Sequence, residues 1–184
     1  MQLHSLPYEV SYRVIKYPRL EFKTGRLLLI LPFGYETEGI LDKHRSWIFK
    51  KAEFIRECLK EVHHKKIVQR TEGEFKDSIL YLVKKNSKEL GEGLNNIYFR
   101  TMKTKWASCS GKPNLTINRL MKYLPDHLIE YVVFHEMAHL RDKRHNDGFW
   151  KRISKKFGNY KELERDLFIY WFQVANKVVV KEGS

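Results

Sequence analysis

Apolar and polar positions change their period along the chain, and these changes predict where strands and helices lie. From Tyr8 to Pro32, alternating residues and a short apolar run flank a turn at Lys23–Arg26, which predicts β-structure. From Leu41 to His63, apolar residues recur at helical spacing with Lys and Arg between them, which predicts a helix. A second helix is predicted from Gly73 to Leu90, where glycines follow it.

The pattern returns to strands and then to helices in the second half of the chain. Residues 97–117 read as strands around a turn at Ser110–Pro113. A third helix is predicted to start near Pro125 or Asp126, and two more helices over residues 147–157 and 160–177. The predicted fold class is therefore α+β, with an N-terminal β/α lobe before a small sheet and several helices.

Length and composition suit a folded protein that carries no membrane segment. The chain has 184 residues, 42% of them hydrophobic, which fits one domain or one core with an appended lobe. We predict a lobe over residues 1–70 that belongs to the same unit as a catalytic region over residues 71–184. The first residues do not resemble a signal peptide, and the apolar runs are too short to span a bilayer. Cys58 and Cys109 imply no disulfide framework, so a cytoplasmic location is expected.

The charge of the chain is strongly basic, with a formal net charge of +13. Such a balance favours nucleic acid, an anionic surface or an acidic substrate as partner, although a solvated basic surface explains it equally well. The sequence makes no prediction of oligomeric state. One dense basic cluster follows the third helix and consists of Arg141, Lys143, Arg144, Lys151, Arg152, Lys155 and Lys156.

The chemistry of the chain is concentrated in His135-Glu136-Met137-Ala138-His139. Two histidines four residues apart lie on one face of a helix, so both imidazoles can reach one metal ion. Glu136 lies at the edge of the same site, where it can take a proton from a water activated by the metal. With 8 His and 16 Glu in the chain, chance would give roughly 0.03 such motifs.

An open zinc site needs a third protein ligand beside a water. His145 lies six residues after His139, where the helix should end and a loop can fold back towards the metal. Asp142 and Asp147 are the competing ligands. Candidates for substrate binding are Trp106, Cys109 and Arg100. Cys109 is either a fourth metal ligand or a small buried residue. Trp106 either lines a substrate cleft or packs in the core.

Residues 100–150 resemble the YgjP-like metallopeptidases, relatives of the SprT-like and WLM zincins. The resemblance implies a zincin-like metallopeptidase core, in which a small β-sheet accompanies an active-site helix. It also implies Zn²⁺ bound by His135, His139 and His145, with Glu136 as general base. Ala107 stands where the family usually has Gly, and Glu130 where an Asp is common. The matching residues are Arg100, Lys103, Trp106, Ser108, Cys109, Asn118, Leu120, Pro125, Tyr131-Val132-Val133, His135-Glu136, Ala138-His139-Leu140, His145 and Phe149-Trp150.

Three functions remain open at this point. The first is a zinc endopeptidase acting on a protein or peptide. The second is another metal-dependent hydrolase, such as one that cleaves a nucleotide phosphoanhydride, although no phosphate-binding glycine loop of the G-x-x-x-x-G-K kind is present. The third is a nucleic-acid-binding module with a structural metal, or a protease that associates with DNA.

Overall fold

Short strands and helices alternate along the chain in the computed structural model, which describes residues 7–23 and 25–181. Two compact units are formed, Met1–Glu61 and Val62–Ser184. The strands are β1 (Tyr8–Tyr12), β2 (Arg19–Lys23), β3 (Arg26–Leu31), β4 (Asn96–Arg100), β5 (Ala107–Cys109) and β6 (Asn114–Asn118). The α-helices are α1 (Thr37–Lys43), α2 (Arg45–Glu61), α3 (Glu72–Leu90), α4 (Asp126–Ala138), α5 (Asp147–Lys156) and α6 (Tyr160–Lys181).

The first unit is a three-stranded sheet with two helices. Its strand order is β1-β3-β2, with β1 parallel and β2 antiparallel to β3. Leu27, Leu29 and Leu31 alternate along β3, so one face of this central strand is buried in a core shared with α1 and α2. The predicted turn between β2 and β3 includes Thr24, which lies outside the described residues, while Gly25 has a φ of 83° that suits glycine.

One helix prediction that begins in this unit is wrong. The continuous helix expected from Leu41 to His63 is instead α1, α2 and a 3₁₀ turn over Val62–His64. The backbone leaves helical geometry at His44, with φ −106° and ψ 11°. The amide of His44 still donates to the carbonyl of Ile40, and its own carbonyl accepts from Ile48. The bend therefore leaves both peptide groups of His44 hydrogen-bonded, and the apolar spacing continues through it.

The second unit has its own sheet and a larger core. The strand order is β4-β6-β5, with β4 parallel and β5 antiparallel to the central β6. Helices α3 and α4 contribute most of the buried side chains that cover this sheet. The predicted α+β class, with a small sheet accompanying the active-site helix, is confirmed. Among the described residues, no helix combines the length and the apolarity that a bilayer crossing requires.

Helix α4 is the most apolar helix of this core. Its first turn is held by Arg70, a residue far away in the sequence. Pro125 precedes its first residue, Asp126, as the sequence predicted. The guanidinium of Arg70 donates to the carbonyls of Lys122 and Leu124 and pairs with the carboxylate of Asp126 at 2.7 Å. These bonds satisfy polar groups at the entry to the helix. The helix that carries the two motif histidines is therefore anchored at its first turn.

Candidate active site

Three histidines converge beyond the end of α4. His135 lies in α4, His139 caps its C-terminus, and His145 lies in the loop before α5. One ring nitrogen from each lies within 4.8 Å of the other two, and the Nε2 atoms of His135 and His145 are 3.1 Å apart. Neither Asp142 nor Asp147 belongs to this cluster, so the geometry brings together the three predicted histidines and leaves the competing acids outside.

Burial favours the neutral imidazole of His135. It lowers the pKa of His135 to about 3, with the neighbouring rings of His139 and His145 as the next causes. Partial desolvation of its ring and the neighbouring His139 also lower the pKa of His145. A neutral imidazole has a nitrogen lone pair to offer, which is the form in which histidine binds metals.

The two aromatic residues at the start of α5 support the two later histidines. Phe149 stacks on His139 at 4.6 Å between ring centroids, with an interplanar angle of 18°. Trp150 stacks on His145 at 5.4 Å and 22°. Phe149 also contacts His145 edge-on at 4.7 Å. Through these contacts, residues of α5 hold the imidazole rings of His139 and His145 in place.

Glu136 lies beside the cluster and is held by the neighbouring sheet. Its Oε2 accepts a 2.9 Å hydrogen bond from the backbone amide of Cys109 in β5. Burial raises the pKa of this carboxyl, while His139, the Cys109 amide and Lys105 act in the opposite direction. One carboxylate oxygen is thereby fixed to a strand, in the same cleft as the histidines.

A cleft of about 710 Å³ contains the cluster and shows where two of the candidate substrate-binding residues lie. Trp106 and Cys109 line it, whereas Arg100 does not and instead has its guanidinium over the ring of Tyr98. Trp106 also packs against the core and donates from Nε1 to the carbonyl of Leu167 at 3.2 Å. The cleft is lined by Glu92, Lys105, Trp106, Ala107, Ser108, Cys109, Ser110, Gly111, Pro113, Tyr131, Val132, His135, Glu136, His139, Leu140, Lys143, His145, Glu164 and Leu167.

Cys109 is a partly buried thiol that stays outside the histidine cluster. Burial raises its pKa to about 11, and the nearby negative charge of Glu136 acts in the same direction. The ligand atoms that converge on one another come from His135, His139 and His145 and do not include this thiol. The fourth-ligand role that the sequence left open for Cys109 therefore has no support in this geometry.

A buried asparagine holds the loop that leads into the cleft. Asn118 at the end of β6 donates from Nδ2 to the carbonyls of Met102 and Lys105, at 2.8 and 2.7 Å. Its Oδ1 accepts from the amides of Met102 and Leu120. Because every hydrogen-bonding position of this buried amide is used, the loop that delivers Lys105 and Trp106 has a fixed course.

The basic cluster after α4 is partly neutralised by ion pairs. Arg141 pairs with Glu92, Arg152 with Asp142, and Lys156 with Glu89. Each of these pairs removes a positive charge from the set predicted to attract nucleic acid. Lys143, Arg144, Lys151 and Lys155 have no ion pair within the described part of the chain.

The donor set fits a divalent metal ion. Two nitrogens bound at 2.0–2.1 Å to a tetrahedral zinc lie about 3.3 Å apart, close to the 3.1 Å between the Nε2 atoms of His135 and His145. The Nδ1 atom of His139 is 3.0 Å from the carbonyl oxygen of Asp142, which can only accept. This bond places the proton of His139 on Nδ1 and leaves the Nε2 lone pair available for a metal.

A sequence model of the YgjP-like metallopeptidase domain matches residues 60–169. The chain belongs to the YgjP-like metallopeptidase family. The resemblance predicted from the sequence is thereby confirmed, and membership of a YgjP-like metallopeptidase domain family implies a peptidase that uses a metal and acts on proteins. No curated protein matches the chain.

Two solved structures are similar to about half of this YgjP-like chain. They are the metallopeptidase zymogens of Pyrococcus abyssi abylysin and Methanocaldococcus jannaschii jannalysin. Both are 25% identical over 48% of this chain, which corresponds to 90% of the abylysin chain and 92% of the jannalysin chain. The TM-scores are 0.45 and 0.43.

Two residues of the YgjP-like site were not singled out as functional by the sequence reasoning. Tyr131 lies four residues before His135, a helical spacing that could have pointed to it. Glu164 in α6 lines the cleft and accepts a hydrogen bond from Tyr131. No local pattern marks Glu164, because its contact joins two distant segments of the chain.

Proposed function

We propose that this protein is a zinc-dependent metalloendopeptidase in which His135, His139 and His145 hold the metal and Glu136 is the general base. The observation that carries the proposal is the convergence of three imidazoles beside a carboxylate, in a cleft of a metallopeptidase-family domain. When bound, zinc supplies Lewis-acid chemistry, which polarises a carbonyl and lowers the pKa of a water towards about 7.

Glu136 moves the proton in this proposal. Its carboxylate takes a proton from the attacking water and delivers it to the amine of the leaving peptide. The amide of Cys109 holds Oε2, so the carboxylate keeps its orientation towards the cleft.

Strand β5 is suited to bind an extended substrate. It forms one edge of the second sheet and its residues line the cleft, whereas β4, the other edge, lies on the far side of β6. An extended peptide can add to such an edge through main-chain hydrogen bonds. Trp106 and Cys109 lie along this path, so we keep both as substrate-contact candidates and drop Arg100.

The decisive experiment compares Glu136→Gln with wild type, measuring bound zinc and hydrolysis of an unstructured protein. We expect full zinc content and a loss of activity of about 10²–10⁴-fold, the usual contribution of a general base. Glu130→Gln is the matched control, because Glu130 lies in the same helix but pairs with Lys85 outside the cleft. Unchanged hydrolysis by Glu136→Gln would overturn the mechanism.

The alternative functions are tested on the same proteins. A nucleoside triphosphate in place of the protein substrate tests a phosphoanhydride hydrolase. Added DNA tests a DNA-associated protease, for which the unpaired cations Lys143, Arg144, Lys151 and Lys155 are the candidate contacts. Hydrolysis of the nucleotide but not of protein would favour the alternative hydrolase, and metal content without either activity would favour a structural metal.

A further inference from the structure

The histidines of the cluster differ in what holds their second ring nitrogen. His139 donates from Nδ1 to a backbone carbonyl, an acceptor that leaves no choice of tautomer. His135 has its Nδ1 3.4 Å from the hydroxyl oxygen of Tyr131, one helical turn earlier in α4. A hydroxyl can donate or accept, so Tyr131 by itself would leave the tautomer of His135 open.

Glu164 decides which way the Tyr131 hydroxyl points. The hydroxyl donates to Oε1 of Glu164 at 3.0 Å, and a carboxylate can only accept. The hydroxyl proton is therefore committed to Glu164, and an oxygen lone pair is left for the Nδ1 proton of His135.

Packing fixes the hydroxyl in this position. Tyr131 is 1% exposed, and its ring makes edge-on contacts with His135 at 5.7 Å and with Phe157 at 5.3 Å. Glu164 reaches the hydroxyl from α6 and faces the same cleft as the cluster. The three groups thus form one hydrogen-bonded chain from a carboxylate to the second nitrogen of His135.

We propose that Glu164 and Tyr131 are positioning residues for metal binding. Glu164, acting through the Tyr131 hydroxyl, holds His135 in the tautomer whose Nε2 lone pair faces His139 and His145. The inference rests on the proposed metal site and extends it to α6, outside the motif. Outer partners that orient a histidine ligand in this way typically change metal affinity 10- to 100-fold when removed.

The test measures zinc affinity by competition with a chromophoric chelator for wild type, Tyr131→Phe, Glu164→Ala and the double variant. We expect each single variant to bind zinc about 10- to 100-fold more weakly. The double variant should be no weaker than Tyr131→Phe alone, because Glu164 acts only through the hydroxyl. Glu162→Ala, an exposed acid in the same helix, is the matched control and should keep wild-type affinity.

A spectroscopic readout separates positioning from general stability. In metal-free protein, ¹⁵N NMR should show His135 protonated on Nδ1 in wild type and a mixture of tautomers in both single variants. Glu164→Gln retains an acceptor oxygen and should recover part of the affinity lost in Glu164→Ala. Thermal unfolding of each metal-free variant shows whether Tyr131→Phe is folded. If it is not, the variants of the exposed Glu164 carry the test, in zinc affinity and in the His135 tautomer.

The outcomes distinguish this inference from the function on which it rests. Wild-type zinc affinity in both Tyr131→Phe and Glu164→Ala, or losses that add in the double variant, would overturn the positioning role while leaving the metal site intact. A folded wild-type protein that binds no zinc would overturn the proposed function, and the positioning role with it. Non-additive losses together with the tautomer change support the proposal.

Discussion

The two histidines of the motif and the third histidine are held by different kinds of structure. His135 and His139 are carried by α4, a helix with eight of its thirteen residues buried. His145 is exposed and lies in an irregular loop. Helical spacing alone brings the first two together, whereas the third depends on contacts with α5. One site therefore combines a rigid pair of candidate ligands with one whose position is supplied by its neighbours.

In the loop between α4 and α5, one residue, Asp142, contacts both His139 and α5. The carbonyl oxygen of Asp142 lies 3.0 Å from Nδ1 of His139, and its carboxylate pairs with Arg152 in α5. Trp150, also in α5, stacks on His145. The exposed histidine is thus positioned by α5 as a whole, so changes in that helix should affect the site without altering α4.

The largest loss of stability is expected from removing Phe149, the side chain that contacts both the histidines of α4 and the histidine of the loop. Phe149 is fully buried and contacts the rings of all three histidines. Phe149→Ala should lower the free energy of unfolding by about 3–5 kcal/mol, because it removes a core side chain and leaves a cavity. Urea unfolding of the metal-free protein measures this. Tyr81→Ala, at a position 67% exposed, should change stability little, and an equally small effect of Phe149→Ala would contradict the shared support.

Removing single candidate ligands separates the two regions. His139→Ala and His145→Ala should each weaken zinc binding more than about 100-fold, equivalent to about 2.7 kcal/mol. We expect His145→Ala to leave the stability of metal-free protein nearly unchanged, because the side chain is exposed. Asp142→Ala and Asp147→Ala are the controls in a chelator competition. A greater loss of zinc in either of them than in His145→Ala would reassign the third ligand.

Weakening the support of the exposed histidine should have a smaller effect. Trp150→Ala removes the ring that stacks on His145 and should weaken zinc binding about tenfold, whereas Trp150→Phe keeps a stacking surface and should lose less. Trp47→Ala, in the first unit, is the control for loss of a tryptophan. Isothermal titration with zinc gives the comparison. Equal affinity of wild type and Trp150→Ala would show that His145 needs no such support.

The smallest effect should come from the cap of α5. The side chain of Asn146 accepts from the amide of Phe149 at 2.9 Å and begins the helix that carries both supporting rings. Asn146→Ala should lower the free energy of unfolding by about 1 kcal/mol, and Asn146→Asp should restore it because aspartate also caps helices. Thermal unfolding measures both variants. A loss in Asn146→Asp as large as in Asn146→Ala would mean that capping is not the cause.

Features that depend on neighbouring residues could be predicted from the sequence. The start of α4 at Pro125, the pairing of His135 with His139 on one face, and the strands around the turn at Ser110–Pro113 all follow from local spacing. The place of His145 in the cluster was also expected, although several residues separate it from the motif. Periodicity and helix-end signals act over a few residues, which is why they identify these elements.

Features that join distant segments could not be predicted in this way. The hydrogen bonds of Arg70 to the entry of α4, of Tyr131 to Glu164, and of the Cys109 amide to Glu136 connect residues from different elements. The parallel pairing of β1 with β3 is likewise a choice of topology that apolar patterning does not encode. The bend at His44 interrupts no apolar spacing, so the pattern alone predicted one helix. The division into residues 1–70 and 71–184 stays a prediction.

The two contacts of Asp142, with His139 and with Arg152, limit how the length of the loop between α4 and α5 can vary during evolution. The five residues between His139 and His145 are held to α4 at one end and to α5 at the other. An inserted or deleted residue there would shift His145 away from Trp150 and separate the Asp142 carbonyl from His139. Relatives should therefore keep the spacing from His139 through Trp150 constant.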